Sequence, residues 1–146
     1  MLIRDYKSDD FHAITKLWDE AGIGGSERGD SKEVIEKCLS IGGKLLVMEE
    51  EKSKTIVGTS WMTFDGRRIH LHHLCIKPEF QGSGHGKVLT EASLQFVKKM
   101  GIQVKLEVAS ENRIAKHIYE KYEFHKFDGY EIYMIRDVHN IRLKEL

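Results

Sequence analysis

One stretch constrains this chain more than any other. From Leu74 to Lys87 it reads Leu-Cys-Ile-Lys-Pro-Glu-Phe-Gln-Gly-Ser-Gly-His-Gly-Lys. Apolar residues of strand length run into the sole proline, then into three glycines at alternate positions, and helical periodicity follows. The pattern predicts a strand, a tight glycine-rich turn and a helix N-terminus in succession. Unsatisfied N–H groups at a helix start, with the positive end of its dipole behind them, suit phosphate oxygens, and glycine lets a backbone approach them closely. A phosphate or pyrophosphate ligand is the first expectation.

The spacing narrows the choice. A P-loop has four residues between its first glycine and Gly-Lys, and a Ser or Thr next for magnesium. Here Gly82 and Gly86 are separated by three residues, and Val88 follows Lys87. A dinucleotide fingerprint has glycines at relative positions one, three and six, whereas Gly82, Gly84 and Gly86 stand at one, three and five. Glu107 does lie at a distance suited to a ribose acid, so a nicotinamide-dependent oxidoreductase is weakened and stays open at this point.

Composition removes further classes. The 146 residues are 40% hydrophobic, enough for one compact domain over 1–146 with its own core. Basic and acidic residues both number 23, and no long basic run offers a footprint for nucleic acid or an anionic membrane. No apolar run nears the roughly 20 residues of a membrane span. Cys38 and Cys75 fit neither a metal spacing nor a disulfide framework, and the N-terminus enters an alternating strand with no signal-peptide core. A reduced, cytoplasmic protein is expected.

Along the chain, Leu2–Tyr6 alternates as a strand does, and Ser8 or Asp9 can cap a helix carrying Phe11, Ile14, Leu17, Trp18 and Ala21. Gly22–Gly29 is too glycine-rich for regular structure and reads equally as a substrate-gating loop or a connector. Asp30 with Glu33 forms a capping box for a second helix. Strands are expected over 44–48, 56–64 and 68–76, a helix from Lys87 to Met100, a short strand over 104–108, and a helix capped by Asn112. A closing hairpin is expected over 124–135, and the tail 138–146 reads as loose or as a short helix. The order β-α-α-β-β-β-α-β-α-β-β predicts an α/β (α+β) fold: a mixed, mainly antiparallel sheet of about seven strands with helices on both faces.

Gln81-Gly82-Ser83-Gly84-His85-Gly86 resembles the Q/R-x-x-G-x-G/A signature of the GNAT superfamily of acyl-CoA N-acyltransferases. A helix and a strand later, Leu106-Glu107-Val108 with Asn112, Ala115, Tyr119 and Phe124 resembles that family's second block. The order of elements and the chain length agree, and the likeness is weakest in the first 45 residues, where the family varies with substrate.

The resemblance implies an N-acetyltransferase that moves an acetyl group from acetyl-CoA to a primary amine by direct attack, without a metal. It implies that Gln81, Gly82, Ser83, Gly84, His85, Gly86 and Lys87 hold the CoA pyrophosphate. It also implies that the strand around Leu74, Cys75 and Ile76 pairs with the pantetheine arm where two strands splay apart. Asn112 and Ala115 then lie along the cofactor, and Tyr119 donates a proton to the departing thiolate. Gln81 stands where arginine is more frequent, which removes one charge from the phosphate site, and Lys87 can restore it. The first two helices and the final hairpin supply the acceptor walls in this family. The twelve-residue step from Glu107 to Tyr119 resembles ribosomal-protein N-terminal acetyltransferases and leans toward peptide amines over small ones.

Glu107, an acid within an apolar strand, is the first choice of general base; simple alternation would instead turn it to solvent. His70, His72 and His73 are rivals, because imidazole titrates near neutrality. Strand alternation puts His70 and His72 on one face and His73 on the other, and an i, i+2 zinc pair lacks an evident third ligand. Cys75 reads as a small buried hydrophobe. A GNAT-like domain that holds acyl-CoA without turnover is the alternative from the binding class. Monomer and homodimer are both open.

Overall fold

The computed structural model describes residues 1–144, apart from the side chain of Ser26. The chain divides into two units, Met1–Ser110 and Glu111–Leu146. The first holds β1 (Leu2–Asp5), α1 (Phe11–Glu20), α2 (Lys32–Ser40), β2 (Lys44–Glu49), β3 (Ile56–Phe64), β4 (Ile69–Ile76), α3 (His85–Met100) and β5 (Val104–Leu106). The strands stand side by side in chain order. β1 to β4 pair antiparallel and β5 joins β4 in parallel, which gives the mixed, mainly antiparallel sheet.

Adjacent residues of β3 show that both faces are covered. Trp18 of α1 donates its indole N–H to Thr59 Oγ1 at 2.8 Å, and Ser93 of α3 donates to Ser60 Oγ at 2.7 Å. Successive strand residues point to opposite faces, so α1 and α3 lie on opposite sides. The core on the α1 and α2 side is built from Ile14, Leu17, Trp18, Ile35, Cys38, Leu45, Val47 and Trp61. Its two indoles stack at 5.9 Å. Burying such side chains contributes roughly 1.5–3 kcal/mol each. On the other face, a Cβ at Gly58 would lie 2.7 Å from Ile76 Cδ1, 3.1 Å from Cys75 O and 3.4 Å from Leu89 Cδ2. Glycine there lets α3 settle directly onto β3 and β4.

α1 ends at Gly22, whose φ of +70° suits glycine, and Trp18 O accepts from Ile23 and Gly24 N–H. The connection that follows contains only a 3-10 turn, Ser26–Arg28. The cap of α2 differs from expectation. Ser31, not Asp30, accepts from Val34 N–H, which leaves the Asp30 carboxylate to a partner elsewhere.

In the second unit Asn112 caps α4 (Arg113–Lys121) by accepting from Ala115 N–H at 3.1 Å. The tail contains a 3-10 turn, Val138–Asn140; residues 145–146 of the expected tail lie outside the described residues. Among the described residues the sheet has five strands, not about seven, because the expected hairpin over 124–135 forms no strand. Phe127, Tyr130, Ile132, Tyr133, Met134 and Ile135 are all exposed. Alternation stabilises a strand only through cross-strand pairing and burial, and those side chains obtain neither.

Gly58→Val forces branched carbons into the α3 seat and is expected to cost about 1–3 kcal/mol of stability. Equilibrium urea unfolding measures it, and an unchanged midpoint would show that α3 does not seat on that position.

Candidate active site

The loop between β4 and α3 is shaped by two left-handed glycines. Gly82 has φ +78° and Gly84 +82°, a region that side chains disfavour. Gly84 is the N-cap of α3, and the first intrahelical bond runs from Val88 N–H to Gly84 O. The N–H groups of His85, Gly86 and Lys87 precede it and have no intrahelical acceptor. A Cβ on Gly82 or Gly84 would meet nothing within 4 Å, so the hollow before the helix is open. Open space, orphan N–H groups and the dipole of a 16-residue helix suit a diphosphate. Ser83 is exposed there, as is Lys87, whose Nζ lies 3.9 Å from Glu91. Gln81 turns the other way, and its Nε2 donates to Ile76 O at 2.8 Å.

That carbonyl belongs to an open strand edge. β4 and β5 pair only at Ile69–Val104, His70–Lys105 and Leu71–Leu106. Beyond Leu71, β4 continues to Ile76 with no strand on its β5 side among the described residues. Lys77 N–H donates to Val57 O on the β3 side, so the N–H and C=O of Ile76, one residue earlier, face the open edge. An extended ligand can add to such an edge as a strand would. Leu74 and Cys75 lie along this stretch. The Cys75 thiol sits 3.4 Å from Thr59 Oγ1, and burial pushes its pKa up, so it stays protonated and un-nucleophilic.

Just before this edge β4 bulges. Thr59 pairs with Cys75 and Trp61 with His72, so His73 and Leu74 together oppose Ser60. The extra residue changes the histidine arrangement expected from alternation. His70 and His72 stack at 3.9 Å on the face of α1 and α2, and His73 joins them there, its ring 5.6 Å from Trp61 and 6.3 Å from His72. Among the described residues, no group of three His, Cys, Asp or Glu is placed to hold a metal.

The three imidazoles differ in surroundings. His72 accepts from or donates to Thr63 Oγ1 at 2.9 Å, and burial, with His70 and His73 beside it, pushes its pKa down to about 3. Burial also lowers His70, while the Glu107 carboxylate partly offsets that loss. Glu107 follows β5 directly, since the strand ends at Leu106 and not at Val108. Its side chain is half exposed, and Oε1 lies 3.9 Å from His70 Nε2, too far for a hydrogen bond but close enough to stabilise an imidazolium. His73 bonds Asp30 instead, at 2.7 Å. The two acid–imidazole pairs therefore separate: one open to solvent, one enclosed.

Tyr119 lies on α4 with its ring 5.5 Å from Phe124, and burial raises its phenol pKa, keeping it a proton donor at neutral pH. Asn112 caps that helix and Ala115 receives the cap.

A family model described as an acetyltransferase (GNAT) domain matches residues 29–134, from before α2 to beyond α4. The chain belongs to the GNAT acetyltransferase family. It is 27% identical over 129 residues to an acetyltransferase of Pectobacterium atrosepticum, covering 88% of this chain and 90% of that one. The structure of glucosamine-6-phosphate N-acetyltransferase from Arabidopsis thaliana aligns with a TM-score of 0.69 and 24% identity, over 92% of this chain and 95% of the other. Ribosomal-protein-S18-alanine N-acetyltransferase from Escherichia coli aligns at 0.72 with 16% identity, over 86% and 78%. Likeness at these identities is one of fold. This GNAT chain is thus an acyltransferase enzyme on a mixed α/β fold.

Sequence reading missed the roles of Asp30, Thr59 and Trp18 in this GNAT site. Asp30 stands 43 residues from His73, and no local pattern links them.

His72 gives a signed stability effect. Its folded pKa, near 3, lies below the ordinary 6.5, so below about pH 6.5 the unfolded chain binds a proton that the folded chain refuses. Stability from this group is complete above 6.5 and is lost as pH falls, by up to about 1.4 kcal/mol per pH unit. His72→Gln is expected to flatten the fall in Tm between about pH 6.5 and 5; parallel curves for the two proteins would refute the assignment.

Proposed function

We propose that this enzyme transfers an acetyl group from acetyl-CoA to a primary amine by direct attack, as a single catalytic domain over 1–146. The observation that carries the reading is the early end of the β4–β5 ladder, which leaves Leu74–Ile76 without a β5 neighbour a short loop ahead of the Gly82–Gly84 turn and the start of α3. A strand edge and an anion hollow in sequence suit a ligand with an amide-bearing arm and a diphosphate. In this reading Leu74, Cys75 and Ile76 hold the arm, residues 82–87 hold the diphosphate while Gln81 braces the end of β4, and Asn112 and Ala115 carry the family's second motif.

Acetyl-CoA supplies an acyl thioester whose carbonyl is open to attack. The protein must deprotonate the amine, since a lysine side chain has a reference pKa near 10.4. His70 is the imidazole with a half-exposed acidic partner, and Glu107 stabilises its charged form, so the pair acts as general base. His72, kept neutral, cannot take that proton on, and the half-exposed Glu107 gives it a way to solvent. Tyr119 returns a proton to the thiolate as the C–S bond breaks. Peptide or protein amines fit the Glu107–Tyr119 spacing, and the E. coli neighbour's name is of that kind. The A. thaliana neighbour's name specifies a sugar amine, so small amines belong in the same screen. The two free thiols suit a reducing cytoplasm.

Ligand-induced thermal shift tests the reading. Acetyl-CoA at about one hundred times its Kd is expected to add roughly 2.7 kcal/mol, with no shift from NAD or ATP. A shift with NAD alone would overturn it. An amine screen read by free-thiol release then supplies the acceptor. With that acceptor, Glu107→Gln removes the charge that raises His70, so turnover falls and the acid limb of kcat/KM moves to lower pH. An acid limb that stays in place would separate Glu107 from the base.

A further inference from the structure

The enclosed Asp30–His73 pair takes no part in the proton route, yet its geometry is tightly constrained. His73 has φ +45°, a left-handed conformation that a histidine adopts at a cost. It occupies the β4 bulge, where glycine is the usual residue at positive φ. Beside Trp61 and His72, Asp30, Trp18 and Thr59 converge on it. Asp30 Oδ2 lies 2.7 Å from its Nε2, with both side chains only 10% exposed. Trp18 meets its ring edge-on at 4.4 Å. Thr59 donates to its carbonyl at 2.8 Å, and Thr59 is itself held by the Trp18 indole.

The bulge and the end of the ladder are neighbours. Leu71 is the last β4 residue paired with β5, and the bulge begins two residues later. Continued parallel register would place His73 beside Val108 and Leu74 beside Ala109, closing the edge. A bulge bends and twists its strand and so turns it away from such pairing. Without compensation, His73 gains by relaxing to ordinary extended backbone, and the edge closes.

We propose that Asp30 is a positioning residue: by holding His73 in its left-handed conformation, it keeps the β4 bulge in place and the donor edge open. It acts from the connection between α1 and α2, so that connection is latched to the strand it faces. The link to acyl-CoA rests on the proposed function; the latch itself does not.

Substitutions separate the latch from general packing. Asp30→Ala removes the partner while leaving a histidine at φ +45°, and Asp30→Ala/His73→Gly removes the partner together with the strain. Calorimetric titration with CoA is expected to show Kd at least tenfold higher in Asp30→Ala and within threefold of wild type in the double variant. Asp30→Asn, which keeps an acceptor oxygen, should also stay within threefold. Amide exchange on the unliganded proteins reads the edge directly. The Ile76 amide is expected to exchange at least tenfold more slowly in Asp30→Ala than in wild type, and to recover in the double variant. Recovery by glycine is the result that lost packing cannot produce, since the double variant has fewer contacts than the single one. A double variant as impaired as Asp30→Ala, or an Asp30→Ala protein with wild-type exchange at Ile76, overturns the latch. If wild type itself fails to bind CoA, the proposed function falls and the exchange comparison still decides the latch.

Discussion

The structure depends on a hydrogen-bond ladder that stops early. β5 pairs with β4 over three residues and then ends, while β4 runs on for five more. Unpaired strand edges attract other chains, and proteins ordinarily cover or blunt them. Here the exposed edge is short, lies next to a bulge, and has one of its carbonyls engaged by Gln81. Those features keep it available to a ligand while making it a poor template for a long foreign strand.

What lies beyond the edge is set by how α3 is seated. Gly58 gives the helix room, and the Ser60–Ser93 hydrogen bond fixes its rotation from within the packed interface. A buried hydroxyl pair of this kind is costly if either partner strays, so it specifies one arrangement more sharply than apolar contacts do. The helix start then falls a short loop after β4, past the 3-10 turn Pro78–Phe80, with Gly82 and Gly84 making the reversal that no side-chain-bearing residue makes cheaply. Strand edge and anion hollow are consequences of the same few packing contacts. They are placed together because only eight residues, Lys77–Gly84, join them.

Much of this was legible in the sequence because it is local. The glycine turn, the Asn112 cap and the apolar stripes of the helices each depend on residues a few positions apart, and the element order up to α4 follows from them. The bulge was not legible. Strand alternation assigns His73 to the face opposite His72, and only the pairing of Thr59 with Cys75 and Trp61 with His72 reveals the extra residue. Asp30 misled for a related reason. Asp before a helix reads as a cap, but Ser31 is one position better placed, and the carboxylate finds its partner in a strand whose position no local pattern specifies. Gln81, read as a weakened phosphate ligand, instead braces the end of β4. The expected hairpin over 124–135 had correct periodicity, yet alternation states only which side would be buried, not that a neighbour exists to bury it.

The three histidines of β4 show how little residue type alone decides. His72 is enclosed among aromatic and hydroxyl neighbours and is held neutral, a packing element that happens to carry nitrogens. His70, one ring further along the stack, keeps contact with a half-exposed carboxylate and can exchange a proton with solvent. His73 has the stronger acidic partner by distance, at 2.7 Å against 3.9 Å, yet that partner is as buried as the ring, so the interaction serves position rather than proton transfer. Proton traffic needs a route to water, and architecture needs the route closed. The same imidazole–carboxylate chemistry therefore does different work a few residues apart on β4: His70 sits inside the β4–β5 ladder beside a half-exposed acid, and the bulge turns His73 beneath α1 to an enclosed one.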